Sequence, residues 1–348
     1  MPDFDVITPK NNTFLLGQED AEKAVLEAYN NHKLHNSWLI SGEKGIGKAT
    51  FAYKFARFLL DENRSFNSLN TNPESPSNRL ISSSSHPDLK VIERDYIETD
   101  RKKILKSIKD GEAMSESERQ GLKKSAFIRI DDVRTINEFM SKKSSHNGWK
   151  VVIIDSIDDM NTASANALLK ILEEPPTKSI LLLISHNIGR LLPTIKSRCA
   201  KLSLKPLSNS DVAVLLRRYR PNLEESDIKS LAGIAAGSIG RALMFADNGA
   251  LGVYSGLKKL ASSGIHFRLD DMLDWTAKAV QSDESYFLAQ ELIMRFFADM
   301  IITAPDVEEC ALAWEKAMHS FRVTESLNLD RRQTLINIIT QLCKMNQR

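Results

Sequence analysis

The sequence predicts an α/β domain built on a parallel sheet, followed by two helical domains. Three observations support this. Short apolar runs alternate with helical patterns through residue 205, a glycine-rich loop joins the first strand to a helix, and only helical patterns follow Pro206. We place the domain boundaries at 1–205, 206–250 and 251–348.

Apolar runs bounded by polar residues predict the strands of the sheet. Each is too short for a core helix, and most are rich in Val, Ile or Leu, which is typical of parallel strands covered on both faces. They are SWLIS at 37–41, LKVIE at 89–93, KVVIID at 150–155, SILLLIS at 179–185 and AKLSL at 200–204.

Between the first two strands, KATFAYKFARFLL predicts a helix with Phe51, Phe55, Phe58 and Leu59 on one face. The next segment, 61–85, is rich in Ser, Asn and Pro without periodicity and predicts a mobile loop. Residues 100–125 are highly charged and predict a surface excursion.

The second half of the chain predicts helices of two lengths. ESDIKSLAGIAAGSIGRALMFAD predicts two short helices separated at glycines, and NTASANALLKILEEPP, just upstream in the first domain, predicts a helix capped by Asn161 or Thr162. From about residue 251 the helices lengthen. The segment 283–304 is almost wholly apolar, with Asp283 as its predicted cap.

Composition excludes several classes of protein. A net charge of +2 leaves nucleic-acid binding to a local patch, and the three cysteines (Cys199, Cys310 and Cys343) have no paired spacing that would indicate a zinc module or a disulfide framework. The polar start is unlike a signal peptide, and no apolar run is long enough to cross a bilayer. These features predict a cytoplasmic protein with no membrane contact.

The stretch SGEKGIGKAT predicts a phosphate-binding loop, because it follows a strand and opens a helix. Glycines let backbone N–H groups surround phosphate, the helix N-terminus adds positive charge, and a lysine reaches the terminal phosphates. We therefore expect ATP or ADP to contact Gly42, Gly45, Gly47, Lys48 and Thr50. Ala49 stands where a hydroxyl normally binds magnesium, and the Thr50 hydroxyl is turned roughly 100° away on a helix, so the metal should be held poorly.

The strand KVVIID ends in Asp155, a carboxylate suited to a position opposite the phosphate loop, where it could approach magnesium. The next residue is Ser156, whose neutral hydroxyl is a poor base for activating water at neutral pH. We expect Asp158 and Asp159 to cap the following helix. The phosphate loop therefore lacks the hydroxyl that binds magnesium, and the strand ending in Asp155 lacks a following base that could activate water.

NTASANALLKILEEPP and LLLISHNIGRLLPTIKSRC resemble the bacterial DNA polymerase III clamp-loader subunits, an AAA+ family. The likeness is strongest at 15–60 and 125–245. The altered motifs, together with GKAT and NLDRR, resemble the delta-prime type of subunit more than the ATPase type, gamma/tau. The resemblance implies an AAA+ type P-loop domain, a small helical lid and a helical collar.

The resemblance also implies roles for particular residues. Arg198 in SRC would enter a neighbouring subunit's ATP site, whereas an ordinary surface salt bridge is the alternative reading. The ATPase members carry an arginine where this chain has Gly240, and Arg241 comes one residue later, so nucleotide sensing is not expected. We read His186 as structural and Cys199 as a small buried residue. The four-cysteine module of many relatives is absent, so no zinc is expected.

The resemblance implies a non-hydrolysing, rigid clamp-loader subunit, without ATPase or polymerase activity of its own but part of the polymerase III holoenzyme. Its implied partners are gamma/tau and delta subunits, the sliding clamp and primed DNA. The alternatives are an autonomous AAA+ ATPase motor resembling gamma/tau and, more remotely, a small-molecule kinase. The basic run RKKILKSIK at 101–109 could contact DNA phosphates or be a solvated face.

Overall fold

The computed structural model describes residues 7–109, 122–145, 148–264, 268–304 and 306–345. The chain divides into two compact units, Met1–Asp211 and Val212–Arg348. The first unit ends close to the predicted boundary at residue 205. The further division of the second unit at residue 250 stays a prediction.

The first unit contains a five-stranded parallel sheet in the order β2-β3-β4-β1-β5. Its strands confirm the predicted ones almost residue for residue: β1 Ser37–Ser41, β2 Leu89–Glu93, β3 Lys150–Asp155, β4 Ser179–Ser185 and β5 Ala200–Ser203. Strands β1, β3 and β4 are buried along nearly their whole length, as expected for parallel strands covered on both faces. The predicted α/β class with a parallel sheet is confirmed.

Helices cover both faces of this sheet: α1 Glu19–Asn30, α2 Lys48–Leu60, α3 Pro76–Ser82, α4 Glu98–Lys109, α5 Ile130–Ser141, α6 Thr162–Glu173 and α7 Pro193–Lys196. One core packs the predicted phenylalanines of α2 against Ile40, Ile153 and Leu182. The opposite core packs α5 and α6 against Leu39 and Val152. Adjacent strand residues thus point to opposite cores, which fixes the register of the sheet.

The segment 61–85 was predicted as a loop throughout, and this was wrong in part. It contains α3, whose N-cap Ser75 accepts a hydrogen bond from the Asn78 amide and whose first residue is Pro76. Leu69 and Ile81 of this segment are buried. Apolar burial therefore fixes parts of a segment whose composition is typical of loops. The charged segment 100–125 begins within α4, and its residues 110–121 lie outside the described residues.

The second unit is helical, as predicted. Its elements are α8 Asn209–Tyr219, which begins just before the boundary, α9 Glu225–Ile234, α10 Ile239–Asp247, α11 Ala250–Ser262, α12 Leu269–Ala279, α13 Asp283–Thr303, α14 Val307–Leu327 and α15 Arg331–Met345. The cap of α13 is Ser282, which accepts from the Ser285 amide, so the prediction of Asp283 was one residue late. In the described residues no helix has the length and apolarity to cross a membrane.

Candidate functional site: the phosphate loop and its surroundings

The phosphate loop lies at the carboxyl end of β1, and its three glycines have positive φ angles: 144° at Gly42, 82° at Gly45 and 101° at Gly47. These are conformations that L side chains rarely adopt. A Cβ at Gly42 would lie 2.7 Å from the Leu204 backbone oxygen. The loop therefore has the curled backbone that a phosphate cradle requires.

Lys48 is the first residue of α2 and is only 3% exposed. Its ammonium donates hydrogen bonds back into the loop, to the Gly42 carbonyl at 2.6 Å and to the Glu43 carbonyl. Burial lowers the pKa of Lys48 to about 8, against the opposing effect of Asp155 and Asp158. The lysine thus lies within the cradle, with carbonyl oxygens in place of phosphate oxygens.

Asp155 ends β3 beside this lysine, as predicted. Its register partner on β2 is Glu93. Burial and the nearby Glu93 carboxylate raise the pKa of Asp155, while Lys48 opposes the rise. Asp155 and Lys48 are therefore close enough to interact, although they lie over 100 residues apart in sequence.

Asp158 does not cap the next helix, contrary to the prediction. The cap of α6 is Asn161, which accepts from the Ser164 amide. Instead, the Asp158 carboxylate accepts hydrogen bonds from the Ser156 hydroxyl (3.0 Å) and from the segment after β4: the Ser185 hydroxyl (3.0 Å) and the amides of His186 (2.6 Å) and Asn187 (3.1 Å).

This carboxylate therefore ties the end of β3 to the end of β4. Burial alone would raise the pKa of Asp158, but the hydrogen bonds that it accepts hold the pKa below its ordinary value. Asp159 was also predicted to be a cap and instead forms an ion pair with Arg94 at 3.1 Å. The parallel pairing of β3 and β4, which joins residues about 30 apart in sequence, brings Asp158 next to its partners at 185–187.

The groups around the loop fit a nucleotide phosphate better than they fit magnesium. Ala49 packs partly buried against the core and offers no oxygen, and Thr50, one position further along α2, is also buried. Ser156 is buried and its hydroxyl donates to Asp158. Among the described residues, no cluster of three or more His, Cys, Asp or Glu side chains could hold a metal ion.

Arg198 lies at the opposite, amino edge of the sheet, two residues before β5. Its guanidinium forms an ion pair with Glu173, the last residue of α6, at 2.6 Å and donates to the Thr194 carbonyl at 2.9 Å. The side chain remains 34% exposed. The structure therefore does not bring Arg198 to this chain's own phosphate loop, and both readings made from the sequence, a surface ion pair and a group offered to a neighbour, fit its position.

Two further residues have the structural surroundings expected from the sequence. Burial raises the pKa of the Cys199 thiol to about 11, which disfavours the thiolate. Burial and the neighbouring Lys48 lower the pKa of His186.

In the second unit, Arg241 forms an ion pair with Glu291 at 3.1 Å and donates to the Ala235 carbonyl.

Two buried polar side chains that hold the segment before the sheet were not predicted from the sequence. Gln18 donates to the Lys205 carbonyl at 2.9 Å and is 4% exposed. Arg57, in the apolar run of α2, is 1% exposed and donates to the carbonyls of Lys10 and Asn12. Their partners lie 28 or more residues away in sequence, so local patterns could not have revealed them.

The basic run 101–109 lies on α4, and part of its charge is paired. Arg101 pairs with Asp95, Lys102 with Glu98 and Lys103 with Asp100. These pairs offset part of the positive charge of α4, and exposed pairs of this kind contribute little to stability. Contact between this helix and DNA phosphates stays a prediction.

Comparison with known proteins gives one family. The model described as DNA polymerase III, delta subunit, matches residues 17–208, more than half of the chain. A DNA polymerase III subunit delta' of Pseudomonas aeruginosa is 31% identical over 204 residues, covering 58% of this chain and 53% of that protein. A DNA polymerase III subunit gamma of Buchnera aphidicola is 27% identical over 239 residues, covering 68% of this chain and 57% of that protein.

This chain therefore aligns with little more than half the length of these curated relatives. Among solved structures, a DNA polymerase III gamma subunit-related protein of Thermotoga maritima superposes with a TM-score of 0.42 and 21% identity, covering 93% of this chain and 100% of that one. The fold of the first unit is defined by its own strand order and by the glycine loop between β1 and α2.

Proposed function

Because the chain belongs to the DNA polymerase III, delta subunit family, we propose that it is a delta-prime type subunit of the clamp loader. In this role it is a non-hydrolysing, rigid stator that abuts gamma/tau and delta subunits and helps to load the sliding clamp on primed DNA. It presents Arg198 to the ATP site of a neighbouring ATPase subunit. These partners and steps go beyond the family assignment and form the proposal.

The observation that carries the proposal is the contrast between an intact phosphate cradle and the groups beside it. Gly42, Gly47 and Lys48 have the geometry for binding a phosphate chain. The base position holds Ser156, whose hydroxyl is hydrogen-bonded to Asp158. The only carboxylate within β3, Lys150–Asp155, is Asp155, which the sequence assigns to magnesium rather than to the activation of water.

A bound ATP or ADP would be held by the loop amides and by Lys48, whose ammonium would exchange its two carbonyl partners for phosphate oxygens. Magnesium would have Asp155 as a ligand on this chain but no hydroxyl at position 49. We therefore propose weak metal retention and slow or absent hydrolysis. The nucleotide would then be a structural ligand, and its binding would stabilise the first unit.

Steady-state phosphate release from the purified full chain tests the stator proposal against the alternative of a gamma/tau-like motor. We expect no release above the background of the Lys48→Ala variant, in which the cradle lacks its cation. Release at about one per second or faster, abolished in Lys48→Ala, would contradict the stator proposal and support the motor. Reconstitution with candidate loader subunits, scored by a defined stoichiometric complex, tests the partners separately.

A further inference from the structure

A cavity of about 580 Å³ opens on the first unit near the amino edge of the sheet, away from the phosphate loop. It is lined by Tyr29, Asn30, His32, Leu34, Phe66 and Trp149. We define these six residues as the aromatic pocket. Trp149 immediately precedes β3, and Leu34 lies shortly before β1. None of these residues has a part in nucleotide binding or in the proposed role of Arg198.

The rings of the aromatic pocket are held in place by other residues. Tyr29 and Phe66 are stacked with centroids 6.4 Å apart, and Trp149 lies 6.5 Å from Tyr29. Phe58 packs edge-on against Tyr29 at 4.9 Å, and the Asn30 amide donates to the Phe66 carbonyl at 2.8 Å. Yet Phe66 is 65% exposed. A positioned phenyl ring open to water is what a stacking platform requires.

A cation accompanies these rings. Arg64 donates to the Tyr29 hydroxyl at 3.0 Å and to the Asp61 carbonyl at 2.8 Å, and its guanidinium lies 6.0 Å from the Tyr29 ring centroid. These partners are neutral groups, and no carboxylate of the described residues forms an ion pair with Arg64. The exposed residues His32 and Lys33 add basic groups on the connection after α1.

We propose that the aromatic pocket binds single-stranded DNA, with a base stacked on Phe66 and Trp149 and a phosphate near Arg64. Aromatic faces beside an arginine are the combination that binds single strands without regard to sequence. A proline-rich peptide also docks on aromatic grooves, but such a peptide carries no phosphate for Arg64 to bind. The inference adds a DNA-contacting surface to the proposed function. It rests on the proposed function in one respect only: primed DNA would offer the single-stranded template that the pocket binds.

The test uses the full chain and a fluorescein-labelled oligo-dT strand of about 20 nucleotides, with binding followed by fluorescence anisotropy. Phe66→Ala should weaken binding by about 5- to 150-fold, the range for loss of one stacked base. Phe127→Ala is the matched control, because Phe127 is another exposed phenylalanine (54%) of the first unit outside this pocket, and it should bind like wild type. Arg64→Gln should reduce the slope of log affinity against log salt by about 0.7.

Two further measurements separate stacking from charge alone. An abasic strand of equal length should bind much more weakly than oligo-dT. DNA should quench tryptophan fluorescence in the wild type but not in Trp149→Phe, which retains Trp38, Trp275 and Trp314. Equal binding of the abasic strand, wild-type affinity of Phe66→Ala, or binding of a polyproline peptide without binding of DNA would each overturn the inference. If the chain assembles with loader subunits but does not bind the strand, only this inference fails. If it binds the strand but does not assemble, only the proposed function fails.

Discussion

The two edges of the parallel sheet differ in what they offer to a nucleotide. The carboxyl edge carries the phosphate loop with Lys48 inside it, and next to it the Asp158 carboxylate joins the ends of β3 and β4. The amino edge carries Arg198, a partly exposed cation held by a single carboxylate and one carbonyl. We propose that one edge binds phosphate and that the other offers an arginine to phosphate held by a neighbouring subunit.

In the proposed function, binding and cleavage of a nucleotide depend on separate groups of the sheet. The loop depends on backbone conformation, which the glycines and the strand–loop–helix order preserve. Cleavage depends on side chains at positions 49 and 156, where this chain has Ala and Ser.

The amino edge gives the largest expected effect. In a reconstituted loader, Arg198→Ala should leave assembly intact but slow DNA-dependent ATP hydrolysis by about 10³-fold, since an arginine supplied in trans stabilises charge on the transferred phosphoryl group. Arg198→Lys should recover only part of the rate, because an ammonium lacks the planar fork of donors. Hydrolysis at the wild-type rate in Arg198→Ala, with the complex intact by gel filtration, would remove the proposed role.

The hydrogen bonds of Asp158, which connect the ends of β3 and β4, should contribute the most to the stability of the carboxyl edge. Asp158→Ala leaves the amides of His186 and Asn187 without their acceptor, and we expect the free energy of unfolding to fall by about 3 kcal/mol. Asp159→Ala is the control, because its ion pair with Arg94 is substantially exposed and should contribute less than about 1 kcal/mol. Urea denaturation measures both. Equal losses in the two variants would show that the Asp158 contacts are not special.

Asp158 also shows where prediction from sequence stopped. The sequence predicted the strands, the phosphate loop and a helix cap at Asn161 or Thr162, because each depends on residues within a few positions of one another. It assigned Asp158 to a helix cap because its true partners at 185–187 become neighbours only when β4 pairs with β3. Gln18 and Arg57 were missed for the same reason. Helix α3 had a local signal, Ser75 followed by Pro76, which the surrounding loop-like composition outweighed.

A substitution in the loop itself should have a somewhat smaller effect on stability. Gly42→Ala forces a side chain into a φ of 144° and brings its Cβ to 2.7 Å from the Leu204 carbonyl oxygen. We expect a loss of about 2 kcal/mol in the free energy of unfolding, together with loss of nucleotide binding. Gly148→Ala, whose Cβ would meet no atom within 4 Å, should change stability by less than about 0.5 kcal/mol. A stable Gly42→Ala variant would show that the loop can relax.

The pH dependence of nucleotide affinity tests the state of Lys48. Burial lowers the pKa of its ammonium to about 8 in the free protein, and a bound phosphate favours the charged form. Binding should therefore be independent of this lysine's titration below pH 8 and require proton uptake above it. We expect the affinity for ADP to fall by about tenfold per pH unit above pH 8. Lys48→Arg, charged throughout this range, should show no such fall. Fluorescence titration with an ADP analogue measures both proteins.

The smallest expected effect concerns the carboxylate that holds Arg198. Glu173→Gln removes the charge of the 2.6 Å ion pair but keeps a side chain of similar size, so the arginine keeps the Thr194 contact and loses its main orienting partner. Because a mobile arginine must be ordered in each transition state, hydrolysis by the reconstituted loader should slow by about two- to fivefold. Glu174→Gln alters the adjacent exposed carboxylate, which has no such bond to Arg198, and should have no effect. If Glu173→Gln instead accelerates hydrolysis, the ion pair with Glu173 holds Arg198 away from the neighbouring site and does not orient it toward that site.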